Sequence, residues 1–232
     1  MNEATNKSKC KDCDLMANCF KNLSDDELAE LGEHKVYIKY KRKEIVAKQG
    51  SFASHIIFIK SGYLKLYIES GFEEKNLIIN VFGPRQLIGL SSLFESNTYK
   101  YSVAALQDSE LCLFDVADIK KLIAVNPEFA ISMIKRSHRS TLYAYQHMYN
   151  LTQKQLNGRL ASVFIYLSEQ VFKNIEFPMI LNRAELANFT AMSTMSAVRA
   201  INDFKKQGLI NDDHGRITIL DMKKLEQISQ FG

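Results

Sequence analysis

The chain has 232 residues, a formal net charge of +4, four cysteines, five histidines and three prolines. That length allows two ordinary domains with separate cores, and mild basicity permits nucleic-acid binding without demanding it. No apolar run reaches the ~18 residues of a membrane span, and the polar start MNEATNKSKCKDCD lacks the apolar stretch of a signal peptide. A cytoplasmic protein is expected, in which cysteines serve thiol, metal or cluster chemistry in preference to disulfides.

Residues 1–23 read as a polar arm carrying Cys10, Cys13 and Cys19. Ser24, with Glu27 three residues on, has the spacing of a capping box and opens a short helix. From Val36 the pattern turns to β. VYIKYKRKEIVAKQG and HIIFIKSGYLKLYIE are read as alternating, with Leu64, Leu66 and Ile68 on one face and Tyr63, Lys65 and Tyr67 on the other. NLIINVFGPRQLIGL and YSVAALQDSELCLFDV add further strands, so residues 24–126 are expected to form an antiparallel barrel or roll.

Helical periodicity returns at Asp115, and Pro127 suits the first turn of a long helix over 127–156. Ile131, Ile134, His138, Thr141, Tyr145 and Met148 recur at alternating steps of three and four, the spacing of a two-chain seam. Packing of that stripe on the chain's own roll is the alternative. The seam is preferred because the stripe spans about five turns and nothing nearby can bury it all.

Residues 157–232 carry the most specific pattern. Asn182 and Glu185 have capping-box spacing before a short helix marked by Leu186 and Phe189. Ala191-Met192-Ser193 makes a turn. Ser193 or Thr194 can cap a second helix whose Ala197, Ala200, Ile201 and Phe204 face inward, and Gly208 ends it. This is a helix-turn-helix pattern, and its second helix would enter the DNA major groove. Two packed helices of an ordinary α-helical domain would look similar. The following NDDHGRITILD, with a turn at His214-Gly215 and alternation through Ile217 and Ile219, adds a β-hairpin wing.

In this order the parts resemble the CRP/FNR family of bacterial transcription regulators, over essentially the whole chain. IIFIKSGYLKLY, FGPRQLIG, NGRLASVFIYL, RAELANFTAMSTMSAVR and GRITILD carry the resemblance. It implies an α+β protein: an N-terminal jelly roll like a cyclic-nucleotide-binding domain, a long dimerisation helix and a C-terminal winged helix-turn-helix. Members that bind cyclic AMP use a Glu and an Arg in the roll; Leu90 and Tyr101 stand at those positions here. An anionic phosphate needs a paired cation, so cyclic AMP is not expected to bind tightly.

Cys10, Cys13 and Cys19, with a distant Cys112, resemble the FNR branch, which implies ligands for an oxygen- or nitric oxide-labile [4Fe–4S] cluster. Zinc on the three N-terminal cysteines, an ordinary buried Cys112, and a cluster-free regulator responding to haem or a small molecule are the alternatives. The resemblance places Thr194, Met195, Val198 and Arg199 against bases and Ser193, Ser196 and Arg183 against phosphates. Arg199 suits guanine, and Met195, where the family often has Glu, suits a thymine methyl. A homodimer on an inverted repeat, acting with RNA polymerase, is implied. A cyclic-nucleotide-binding module acting on a protein partner is a second reading. Catalysis is not expected, because the chain lacks a Ser/His/Asp set, a phosphate loop and HExxH.

Overall fold

The computed structural model describes residues 18–71, 76–93 and 97–232, apart from the side chains of Asn18, Cys19 and Phe231. Cys10 and Cys13 lie outside the described residues. The chain divides into two compact units. One takes the chain to Ile68 and then Phe82–Leu142; the other takes Glu69–Val81 and Tyr143–Gly232.

The first unit opens with a 3-10 turn, Asn18–Asn22, and α1, Asp25–Glu33, whose capping box joins Ser24 and Glu27 as expected. The strands follow: β1 Val36–Tyr40, β2 Ile45–Ala47, β3 His55–Ser61 and β4 Leu64–Ile68, then β5 Leu77–Phe82, most of which belongs to the second unit. β6 Leu87–Ile88, β7 Ser102–Ala105 and β8 Ser109–Asp115 complete the roll, followed by α2, Val116–Val125. One sheet runs β1–β8–β3–β6, and in the other β7 lies between β2 and β4. Gly62, in the turn from β3 to β4, has φ +90°, and any Cβ there would collide with Ser109.

The alternation expected of the strands holds only in part. Ile56 to Ile59 is a continuous buried run. The reason is that β3 is covered on both faces. Ile57 and Ile59 join the roll interior with Leu64, Val103 and Leu111, while Ile56 and Phe58 join a second cluster with Phe20, Leu28, Phe114 and Phe129. β8 splits in the same way: Leu111 faces the interior and Cys112 the helix-covered side. In β4, Tyr67 is buried and Ile68, the last residue of the strand, is exposed, contrary to the expected faces.

α3 runs Pro127–Gln153, with the Asn126 side chain accepting from the Phe129 N–H at 3.0 Å to cap it. The second unit continues with α4, Leu156–Tyr166, a π-helical turn, Leu167–Phe172, and β9, Glu176–Pro178. Then come α5 Arg183–Thr190, α6 Thr194–Lys206, β10 Ile210–Asp213, β11 Arg216–Ile219 and α7 Met222–Phe231. The wing is a three-stranded sheet, β10–β11–β9, not the two-stranded hairpin expected, because Phe177 on β9 pairs with Ile217. α7 was also not anticipated. It seats against α4, where Gly158 leaves room for the Gly232 carbonyl. Among the described residues no helix is long and apolar enough to cross a membrane.

Candidate nucleic-acid interface

α5 begins as its sequence dictates. The Asn182 side chain accepts from the Glu185 N–H at 2.8 Å, and Glu185 returns the bond to the Asn182 N–H at 2.9 Å. A capping box of this kind contributes about 1 kcal/mol. Ala191 ends the helix with φ +50°, an uncommon left-handed position for a residue with a Cβ. The Arg159 guanidinium supports that turn, with Nη1 donating to the Ala191 carbonyl at 3.3 Å and Nε to the Lys154 carbonyl at 2.8 Å.

Ser193 then caps α6, its Oγ accepting from the Ser196 N–H at 3.1 Å. Ala197, Ala200, Ile201 and Phe204 are buried, and Phe204 lies 6.4 Å from the Phe164 ring. Thr194, Met195, Val198, Arg199 and Asn202 are exposed. Four outward side chains in the first two turns of a helix whose opposite face is locked into the core are the arrangement a major groove accepts. Arg199 Nη2 donates to the Met195 sulfur at 3.4 Å, one turn away, so the two side chains lie together on the surface.

The expected phosphate contacts sit differently. The Ser193 and Ser196 hydroxyls are 2.9 Å apart and the Ser193 oxygen is occupied by the cap. Arg183 is a half-buried brace: Nη2 pairs with Asp212 of β10 at 2.6 Å, and Nη1 is buried with no hydrogen-bond partner. This ties the start of α5 to the wing. Sequence spacing could not reveal that pair, because 29 positions separate its members. Asp212 and Arg159 are therefore supports of the candidate site that sequence reasoning missed.

Behind α5 lies a polar aromatic cluster. Tyr143, His147, Tyr166 and Phe189 pack with ring separations of 4.3–6.0 Å. The Tyr166 hydroxyl meets the Asn80 side chain and donates to the Val81 carbonyl at 2.9 Å, and His147 Nε2 lies 3.2 Å from the Ile78 carbonyl. Burial raises the Tyr143 and Tyr166 hydroxyls above the usual phenol range and lowers His147 below the usual imidazole value.

On α3 the six seam residues, Ile131, Ile134, His138, Thr141, Tyr145 and Met148, are all exposed, with Ile134 at 66%. Phe129, Met133 and His147 fill the opposite side. In the roll, Leu90 packs on the core. The Tyr101 hydroxyl accepts from Ser91 at 3.3 Å, with Gly89 and Ser92 beside it, and its phenol is raised by burial. The positions that the resemblance matches to the Glu and Arg of a cyclic-nucleotide site thus hold an apolar core contact and a phenol bonded to the Gly89–Ser92 turn. Cys112 on β8 is buried, opposite Tyr37 and Phe58 across the sheet. Phe20, which directly follows Cys19, packs in the same cluster and stacks on Phe129 at 6.1 Å.

Residues 37–126 match the cyclic nucleotide-binding domain and residues 158–228 the Crp-like helix-turn-helix domain. The chain is 24% identical to the transcriptional activator protein FnrA of Stutzerimonas stutzeri, covering 94% of this chain and 91% of that one. It is 26% identical to the transcriptional activator protein anr of Pseudomonas aeruginosa, with the same coverages. It is 27% identical to the anaerobic regulatory protein of Haemophilus influenzae, over 95% and 87%. Its fold is similar to that of FixK2 from Bradyrhizobium japonicum, with a TM-score of 0.77 at 15% identity, covering 84% of this chain and 96% of that one. A roll matching the cyclic nucleotide-binding domain, a long connecting helix and a winged helix-turn-helix in this order place the chain in the CRP/FNR family of DNA-binding transcription regulators.

Proposed function

We propose that this regulator is a cytoplasmic homodimer that reads an inverted repeat and whose DNA binding is governed by oxygen, redox state or nitric oxide through a [4Fe–4S] cluster on Cys10, Cys13, Cys19 and Cys112. The observation that carries the DNA reading is the outward face of α6. Thr194, Met195, Val198 and Arg199 stand free of the core on a capped helix beside a braced wing. Arg199 takes guanine O6 and N7, and Met195 packs on a thymine methyl. Ser193, Ser196 and Arg183 are assigned to phosphates, with Arg183 doing so while held by Asp212. Domain bounds follow as 1–23 for the arm, 24–126 for the roll, 127–156 for the dimer helix and 157–232 for the DNA-binding domain. RNA polymerase is the protein partner.

Dimerisation is assigned to the exposed stripe of α3, since six side chains at seam spacing lie on one side of a 27-residue helix and are uncovered in the single chain. Two recognition helices related by the dimer axis then meet half-sites about one helical turn apart.

The cluster reading draws support from two directions. Relatives bear the name anaerobic regulatory protein. In this chain Cys112 is 7% exposed on the helix-covered side of the sheet, in the same apolar cluster as Phe20, the neighbour of Cys19. Four thiolates are the donor set such clusters use, and a buried Cys112 sulfur in the cluster that holds Phe20 suits one. When bound, the cluster would supply an oxidant-labile tie between arm and roll. This chain's own contribution is the seat for that tie, because Asn126 donates to the Asn22 carbonyl at 3.0 Å and Phe129 stacks on Phe20, both at the head of α3. The test is anaerobic purification with a visible spectrum and iron and sulfide assays. A broad band that bleaches in air, with ~4 irons per chain, is expected. A colourless, iron-free protein that still binds DNA in air would remove the cluster and leave the regulator.

A further inference from the structure

We propose that Met195 is an oxidation-sensitive base-reading residue, whose conversion to the sulfoxide switches the base preferred opposite it from thymine to cytosine. The inference rests on α6 being the DNA-reading helix. Met195 is 65% exposed in the first turn of α6, and its sulfur lies 3.4 Å from Arg199 Nη2. It is unlike Met133, which is 4% exposed in the core and shielded from solutes.

As a thioether, Met195 is apolar and a weak acceptor. In the major groove it has the methyl of thymine to pack against and only a weak sulfur acceptor to offer the amino group of cytosine. Oxidation inverts that chemistry. Hydrogen peroxide is the oxidant: a sulfur lone pair attacks one peroxide oxygen, the O–O bond breaks, and the departing hydroxide takes the remaining proton and leaves as water. Sulfur is oxidised by two electrons and peroxide is reduced by two. The product is polar and carries a strong oxygen acceptor. That oxygen suits the N4 amino group of cytosine, and the Arg199 guanidinium beside it offers charge-assisted hydrogen bonding that holds it on the reading face. The pair is thus built so that one oxygen atom changes the recognised base while leaving α6 and its buried face in place. Methionine sulfoxide reductase reverses the step.

The test uses the full chain. A Met195→Glu variant first locates the base pair that residue 195 faces, as the position where selected sites change to cytosine. Two labelled duplexes differing only there, thymine or cytosine, are then bound by wild type and Met195→Leu before and after peroxide, with peptide mass spectrometry following the oxygen on Met195. The wild-type thymine-to-cytosine affinity ratio is expected to fall about tenfold on oxidation, to recover with the reductase, and to stay fixed in Met195→Leu. A loss shared equally by Met195→Leu, or an unchanged ratio in protein whose Met195 carries the oxygen, overturns the proposal. If untreated protein shows no sequence preference at all, the DNA-reading assignment fails as well, and the two failures are told apart.

Discussion

The outer face of α6 and the Gly89–Ser92 turn of the roll use polar groups in opposite ways. On α6 the capping and core contacts are made by Ser193, Ala197, Ala200, Ile201 and Phe204, which leaves Thr194, Met195, Val198 and Arg199 outward. In the roll the side chains that could meet a ligand turn inward: Leu90 packs on the core and Tyr101 bonds with Ser91. A face whose polar groups are not tied to the core is available to a partner, whereas a turn bonded within the roll is structure. Changes on α6 should therefore alter recognition, and changes at the turn should alter stability alone.

The largest effect that sharpens this contrast comes from beneath the outward face of α6. Phe204→Ala should cost about 3–5 kcal/mol through the cavity it leaves, lowering the calorimetric transition and abolishing DNA binding together. Arg199→Ala should leave the melting transition in place and cost about 1–3 kcal/mol on the specific site but little on random DNA. Equal loss on both DNAs would make Arg199 a phosphate contact and weaken the contrast. Asp212→Asn removes the charge that holds Arg183, for about 1–2 kcal/mol of stability after allowing for the exposure of Arg183. Footprints should lose protection at the wing before they lose it at the bases. Tyr101→Phe should cost about 1 kcal/mol in urea unfolding and leave DNA affinity unchanged. If it altered DNA affinity instead, the turn would be more than structure.

The smallest effect is a pH dependence. Burial lowers the His147 imidazole below its ordinary value near 6.5. Below that value the unfolded chain takes up a proton that the folded chain resists, so stability falls as pH drops from about 6.5 through the folded value. Urea midpoints at pH 7 and pH 5 should differ less in His147→Gln than in wild type.

Local chemistry was readable in the sequence where signal and structure are close in the chain. Both capping boxes, the Ala191–Ser193 turn, the buried stripe of α6 and the positive φ of Gly208 follow from neighbours within a few residues. What escaped depended on contacts far apart in sequence. The run Ile56–Ile59 departs from alternation because α-helical and 3-10 segments cover a second face of β3, and no strand pattern states what lies above it. The third wing strand needs Phe177 to meet Ile217, and the Arg183 brace needs Asp212. The exposed stripe of α3 was legible because side chains that the chain's own core does not cover keep their period along the helix.

The packing of Phe20 has a kinetic meaning. Phe20 is joined to the α1 cap, Ser24, by three residues, and its carbonyl accepts from the Leu23 N–H at 3.1 Å. It behaves as a tethered ligand whose leash keeps it at high effective concentration over the pocket formed by Phe58, Phe114 and Phe129. Release is expected to open the 3-10 turn and its Asn126–Asn22 bond while α1 and the sheet stay folded. Such a sub-global opening is visible by hydrogen exchange: the Leu23 amide should exchange well ahead of the Leu28 amide, which is bonded to the Ser24 carbonyl at 2.9 Å. Whatever grips the cysteine arm would slow Leu23 toward the rate of Leu28, so one amide reports whether the leash is drawn in.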